Sequence, residues 1–168
     1  MGRTSRLARG ALSVLLTVCF GIAAAADATA TRLYVTWYPW QADSVLAAWA
    51  LKRHVSMAAE FEAAPNGAPV PADQALDIPE SLYRRNGLRT AYEEVLRLHR
   101  VDSPCAERLR PIVRVLELAS WRKAEHPEAE NFEAGLLPLL PRQPGKGGLA
   151  TAFAYVDQFC STKGATPR

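Results

Sequence analysis

The chain has 168 residues, of which 20 are Lys or Arg and 17 are Asp or Glu, and its formal net charge at pH 7 is +3. This positive surplus lies in three arginines within the first nine residues, so the rest of the chain is balanced at 17 basic and 17 acidic residues. The positive net charge is therefore not evidence for nucleic-acid binding, because the proteins that bind nucleic acids carry a clustered basic surplus in the folded domain. We therefore expect no nucleic-acid partner.

Residues 1–26 have the pattern of a secretory signal peptide. The three arginines precede an apolar run, Ala11–Ile22, which the small residues of Ala23–Ala30 follow. We expect cleavage after Ala26 or as late as Ala30. A membrane anchor is the alternative, but the apolar run is shorter than the roughly 20 residues that span a bilayer.

Removal of this segment leaves about 140 residues, which is the length of one domain. We assign residues 31–160 to that domain and residues 161–168 to a frayed tail. The mature protein is expected to be periplasmic or secreted, without a stable membrane anchor. The sequence does not indicate its oligomeric state.

A predicted strand, Leu33–Trp37, opens the mature chain and leads into a helix. Asp43 is expected at the N-terminus of that helix, because its side chain accepts hydrogen bonds from free N–H groups, and it could otherwise pair with an arginine. The helix ends in the basic cluster Lys52-Arg53-His54, and Trp49 is expected in the core. Short runs of strand-forming residues predict further strands at Ala59–Ala64 and Ala75–Ile78.

The second half of the chain is predicted to be helical. Thr90 and Glu93 form a capping box that starts one helix. Ser103 as N-cap and Pro104 as first residue start the next, and Pro111 should kink or split it. Further helices are predicted at Phe132–Leu140 and Leu149–Cys160. Trp121–Glu130, which contains Pro127, is predicted to be a linker and helix start, and Gln143–Gly148 a loop. The predicted fold is α+β and mainly α, with four to five helices and a small sheet of two or three short strands.

Two cysteines remain after signal removal, Cys105 and Cys160. An exported protein reaches an oxidising compartment, where a disulfide between them is possible. The alternative is two separate buried thiols, because sequence alone does not place their Cα atoms within bonding distance. These cysteines and the three scattered histidines match no zinc-ligand spacing, so we predict neither a metal site nor a cofactor.

Basic residues cluster in two places that the fold could bring together. They are Lys52 and Arg53 at the end of the first helix, and Arg84, Arg85 and Arg89 before the Thr90 helix. Guanidinium groups suit tetrahedral oxyanions, and the N-terminus of a helix adds a favourable dipole. The alternative is that these are ordinary solvated arginines.

Several segments, taken in order, resemble the C-terminal domain of the ChrB-type chromate-resistance family, also described as chromate resistance exported protein. The resemblance spans Leu33–Cys160. It is carried by Val35-Thr36, Asp43-Ser44, Trp49–His54, Glu60-Phe61, Leu76-Asp77-Ile78-Pro79, Gly87–Tyr92, Leu109–Arg114 and Pro127-Glu128-Ala129. In better-known members this domain follows a DNA-binding region, whereas here the predicted signal peptide stands in that place.

The chain departs from the family at residues suited to metal or redox chemistry. Ser44 stands where the family keeps an arginine, and Ala47 and Thr90 stand where it keeps cysteines. Arg85 and Asn86 replace histidines. The resemblance therefore implies a divergent member without that chemistry.

Two hypotheses of different classes follow from the resemblance, and we favour the first. In the first, the protein is an exported, non-enzymatic accessory of chromate resistance that binds a small tetrahedral oxyanion. In the second, it is a metal- or thiol-dependent enzyme of chromate or oxidative-stress detoxification; a structural partner-binding module is a further alternative. The candidate oxyanion-binding residues are Lys52, Arg53, Arg85, Arg89 and Arg114. Asp43 and Glu117 are supporting residues, and Glu117 is an acid at a position where the family also has an acid.

Overall fold

The computed structural model of the protein describes residues 31–162. The predicted signal peptide, and the tail beyond residue 162, lie outside the described residues. Within the described range, no helix is both long enough and apolar enough to cross a membrane.

A small mixed sheet forms one side of the domain. Strands β1 (Leu33–Trp37) and β2 (Glu60–Ala64) are parallel and paired along their whole length, and the two-residue strand β3 (Gly145–Lys146) runs antiparallel to β2. On the other side of β1, Ala75 forms an isolated parallel bridge to Val35. The first two strands agree with prediction. The strand predicted at Ala75–Ile78 is reduced to that bridge, and the loop predicted at Gln143–Gly148 contains β3.

Helices make up most of the domain, which confirms the α+β, mainly α prediction. The α-helices are α1 (Ala42–Ala50), α2 (Ala91–His99), α3 (Pro104–Leu118), α4 (Pro127–Leu136) and α5 (Ala150–Ser161). A π-helical turn, Leu51–Val55, extends α1. Short 3-10 turns follow α3, at Ser120–Glu125, and α4, at Leu137–Leu139.

Helix α1 is the centre of the core, and every one of its residues is buried. Helices α2, α3 and α5 all pack against it. Trp49 is 3% exposed and its indole Nε1 donates a hydrogen bond to Asp157 Oδ1 at 2.8 Å, as expected for a core tryptophan with a polar partner. A side chain of this size contributes about 2 kcal/mol or more through burial.

The first turns of the helices show where capping residues in the sequence are enough to predict a helix start. The capping box of Thr90 and Glu93 and the Ser103-Pro104 start of α3 are both present as predicted. Helix α3 continues through Pro111, which is exposed, so of the predicted kink or split the split is wrong. Gln41, not Asp43, is the N-cap residue of α1, and Ser44 Oγ accepts a hydrogen bond from the backbone N–H of Gln41 at 3.0 Å.

The structure joins Cys105 and Cys160 in a disulfide with a Cα–Cα distance of 5.2 Å. The bond connects the first turn of α3 to the last turn of α5, across 55 residues of sequence. It therefore constrains the second half of the domain.

We expect reduction of this disulfide to lower the free energy of unfolding by about 4 kcal/mol, because an open chain regains the entropy of a loop of this length. Urea unfolding of the mature protein with and without reductant measures the change. The double variant C105S/C160S is the control and should not respond to reductant. Equal stability with and without reductant in the unsubstituted protein would contradict the prediction.

Candidate functional site

A polar pocket of about 280 Å³ opens at the carboxyl ends of the parallel segments. It lies just beyond β1, β2 and the Ala75 bridge, the position at which parallel sheets usually bind ligands. Hydroxyl and amide side chains, two aromatic residues, one carboxylate and one guanidinium line it. The lining residues are Thr36, Trp37, Tyr38, Pro39, Gln41, Ser44, Asn66, Asp77, Pro79 and Arg85.

Arg85 supplies the positive charge of this pocket. Its Nη1 donates to Glu117 Oε2, and its Nη2 donates to Gln41 Oε1 at 2.8 Å. The same Nη2 lies 4.0 Å from Asp77 Oδ2, which is too far for a hydrogen bond. The guanidinium is thus held by α1 and α3 at the pocket wall, and 32% of the side chain is still exposed.

Asp43 lies behind the pocket, fully buried, and holds the start of a different helix from its own. Its two carboxylate oxygens accept hydrogen bonds from the backbone N–H groups of Ala91 and Tyr92, each at 2.7 Å. Thr90 Oγ1 accepts the next N–H, from Glu93. We expected the N-terminus of α2 to face an oxyanion, but its free N–H groups are already bonded to these side chains.

Carboxylates outnumber cations around Arg85. Three of them surround its guanidinium, those of Asp43, Asp77 and Glu117. Burial, followed by the nearby charge of Asp43, raises the pKa of Asp77 to about 8, despite the opposing effects of the Arg85 guanidinium and backbone N–H. Burial raises the pKa of Asp43 to about 6, although its two backbone hydrogen bonds act in the opposite direction. The surroundings of Asp77 therefore favour its neutral, protonated form over its carboxylate.

Two of the other predicted cations lie near the start of α2, where each is paired with a buried glutamate. Arg89 Nε is 2.5 Å from Glu94 Oε1, and Arg114 Nη1 is 2.9 Å from Glu93 Oε1. Arg114 also donates to the carbonyl of Leu88 at 3.2 Å. Neither residue lines the polar pocket.

Lys52 and Arg53 lie at the opposite end of α1, roughly 18 Å from Gln41 at the helical rise of about 1.5 Å per residue. Arg53 forms a two-pronged ion pair with Asp157 of α5, at 2.6 and 3.2 Å. Lys52 Nζ donates to the carbonyl of Ala59 at 2.8 Å and lines a separate pocket beside Lys146 at the start of α5. The predicted cations therefore do not converge on one site.

Sequence reasoning did not assign Asp77, Gln41, Ser44 or Asn66 to a site. The pairing partners of Arg85 are 32 and 44 residues away in sequence, so no local pattern reveals them. Asp77 does have a signal, because it belongs to one of the segments that carry the family resemblance. Its backbone φ of 52° is a second sign of a constrained position, visible only in the structure.

The departures from the family fall in two different environments. Ser44 lines the polar pocket, so the arginine that it replaces would add a cation there. Ala47 is fully buried in α1, and Thr90 is the buried N-cap of α2. Among residues 31–162, no group of three or more His, Cys, Asp or Glu side chains is arranged to hold a metal ion.

Residues 34–162 of the chain match the family model described as ChrB, C-terminal domain. These residues include the helices, β2, β3, all of β1 except its first residue, and the whole polar pocket. Searches of the curated proteins and of the solved structures found no match to the chain.

We expect Asp43→Ala to lower the free energy of unfolding by roughly 3 kcal/mol, because it leaves two buried N–H groups of α2 without acceptors. Ser103→Ala is the matched control, since it removes an ordinary N-cap of α3 and should cost about 1 kcal/mol. Urea unfolding of both variants measures the difference. Equal losses would show that Asp43 is no more than a usual cap.

We expect Asp77→Asn to become more stable relative to the unsubstituted protein as pH rises. Between the ordinary pKa of 3.8 and the folded value of about 8, the native state keeps a proton that the unfolded chain has released. The contribution of Asp77 to the free energy of unfolding of the unsubstituted protein is therefore complete below pH 4 and is lost as the pH rises to 8. The amide of Asp77→Asn does not titrate, so the variant shows no such loss.

Urea unfolding at pH 5, 6, 7 and 8 measures this effect as a difference between the two proteins. The difference should grow by roughly 4 kcal/mol across the series, at about 1.4 kcal/mol per pH unit. Asparagine is a suitable replacement because it tolerates the left-handed backbone conformation of residue 77. A difference that stays constant with pH would contradict the raised pKa.

Proposed function

Since this chain belongs to the ChrB C-terminal domain family and is therefore a chromate-resistance-related protein, we propose that it is an exported accessory that binds a small tetrahedral oxyanion. In this proposal the protein binds the anion without catalysing a reaction. Chromate is the first ligand to consider because of the family, and sulfate and phosphate share its shape and chemistry.

The observation that carries this proposal is the position of Arg85 in the polar pocket. A guanidinium binds two oxygens of an oxyanion at once, and hydroxyl and amide groups can bind the others. Thr36, Ser44, Gln41 and Asn66 supply such groups around the same cavity. The pocket volume of about 280 Å³ exceeds the size of a four-oxygen anion.

The remaining candidate cations support binding less directly. Arg53, Arg89 and Arg114 are each paired with a carboxylate outside the pocket, so an anion would have to displace an existing ion pair. Lys52 donates to the backbone carbonyl of Ala59 and lines the second pocket, which makes it the main competitor of Arg85. Variants of these residues can therefore locate the site.

Export is supported by two independent features. The sequence of residues 1–26 has the signal-peptide pattern, and the domain contains a disulfide, which persists in oxidising compartments. The same disulfide weighs against the thiol-dependent enzyme as an alternative, because Cys105 and Cys160 are bonded to each other and neither offers a thiolate.

We expect calorimetry of the mature protein to detect binding of chromate, sulfate or phosphate, and Arg85→Gln to weaken it at least tenfold through loss of the guanidinium. Arg53→Gln is the matched control, because its guanidinium lies at the other end of α1, and it should bind normally. A loss with Lys52→Gln but not with Arg85→Gln would move the site to the second pocket. No binding of any of the three anions would refute the proposal.

We expect the expressed protein to be recovered from the periplasm or medium with a mature N-terminus at Asp27 or Thr31. Cell fractionation followed by intact-mass measurement checks this. The mass should also be two hydrogens lower than that of the reduced chain, because of the disulfide. A cytoplasmic protein with its first 26 residues intact would contradict export.

A further inference from the structure

We propose that Asp77 enters the oxyanion complex as a neutral carboxylic acid that donates its proton in a hydrogen bond to the ligand, beside Arg85. This inference rests on the proposed function and deepens it, because it assigns a proton to the binding reaction. Asp77 becomes a binding residue, and the affinity of the pocket becomes dependent on pH.

The first support is the arrangement of charges around the pocket. Glu117 on α3 accepts the direct ion pair from Arg85, which leaves Asp77 Oδ2 at 4.0 Å from the nearest guanidinium nitrogen. Asp43 on α1 is the other charged group that acts on Asp77. With all three carboxyls ionised, one guanidinium would face three negative charges, and an added oxyanion would increase the repulsion.

The second support is the burial of Asp77 at the pocket wall. Only 5% of its side chain is exposed, yet it lines the cavity together with Arg85. An ionised carboxylate in this position is poorly solvated, and burial accordingly raises its pKa to about 8. A neutral acid removes the repulsion and also gains a donor, because a protonated carboxyl has an O–H group.

The third support is the way the backbone holds this residue. Asp77 has a left-handed φ of 52°, and its N–H donates to the carbonyl of Tyr83 at 3.2 Å. Ser81 closes the same loop, since its Oγ donates to the carbonyl of Ala75 at 2.7 Å and accepts the N–H of Tyr83 at 2.8 Å. The carboxyl is therefore fixed in place before a ligand arrives, which limits the entropy cost of binding.

The consequence is a proton balance that can be measured. Below pH 8 Asp77 already carries its proton, and the oxyanion binds without further uptake. Above pH 8 the carboxylate must take up one proton from solvent for each anion bound. The affinity should then fall by up to about tenfold for each pH unit above 8, which is the limit for binding linked to one proton.

Sulfate is the probe for this experiment, because it stays a dianion across the pH range in which phosphate and chromate titrate. Calorimetry at pH 6, 7, 8 and 9, repeated in buffers of different ionisation enthalpy, gives both the affinity and the number of protons taken up. The proteins are the mature unsubstituted chain and Asp77→Asn, whose amide is a neutral donor that does not titrate.

For the unsubstituted protein we expect uptake of close to one proton per sulfate at pH 9, and an affinity at least fivefold weaker than at pH 7. Asp77→Asn should bind sulfate at both pH values with no uptake at this site. Thermal unfolding checks that the variant is folded, and if it is not, the proton count of the unsubstituted protein decides by itself.

Sulfate binding by the unsubstituted protein without proton uptake at pH 9 would overturn the role of Asp77 and leave the oxyanion function intact. The same holds if Asp77→Asn and the unsubstituted protein show identical pH profiles. Absence of sulfate, phosphate and chromate binding at every pH would instead overturn the oxyanion function, and this inference with it.

Discussion

The rest of the domain depends on the hydrogen bonds that the buried carboxylate of Asp43 accepts from the start of α2. This carboxylate lies in the first turn of α1 and accepts the first two free N–H groups of α2, from Ala91 and Tyr92. The backbone N–H of Asp43 also donates to Glu117 of α3 at 3.3 Å, and Glu117 holds Arg85. Through its carboxylate and its backbone N–H, this one buried residue joins three helices and the pocket wall, and the bonds to α2 satisfy its buried charge.

This arrangement explains why the pocket is polar and yet short of positive charge. The carboxylates that join the helices neutralise the positive charge of the Arg85 guanidinium, so the pocket cannot attract an anion by net charge alone. A ligand with several oxygens must use directed hydrogen bonds from fixed side chains, and it benefits from every carboxyl that is neutral. Ser44 lines this pocket with a neutral hydroxyl, so it offers an oxygen ligand a hydrogen bond but no charge.

The sequence predicted the local features of the fold well and the site less well. Thr90 with Glu93, and Ser103 with Pro104, act within one turn of helix, so their patterns alone identify where α2 and α3 begin. Asp43 also has the residue type of a cap, but the helix that it caps begins 48 residues later. The five predicted cations share a charge, and nothing in their spacing shows that α1 separates Lys52 and Arg53 from Arg85.

The sequence by itself determined the family, the mainly helical character of the domain and the positions of most helices and strands. These depend on residue type and short-range spacing, which the printed chain contains. Only the tertiary structure decided which carboxylate pairs with Arg85, whether Cys105 and Cys160 are bonded, and which acid lies buried in the pocket. Those outcomes depend on burial and on contacts between residues 30 to 100 positions apart, where the energy of a charge is set by its surroundings.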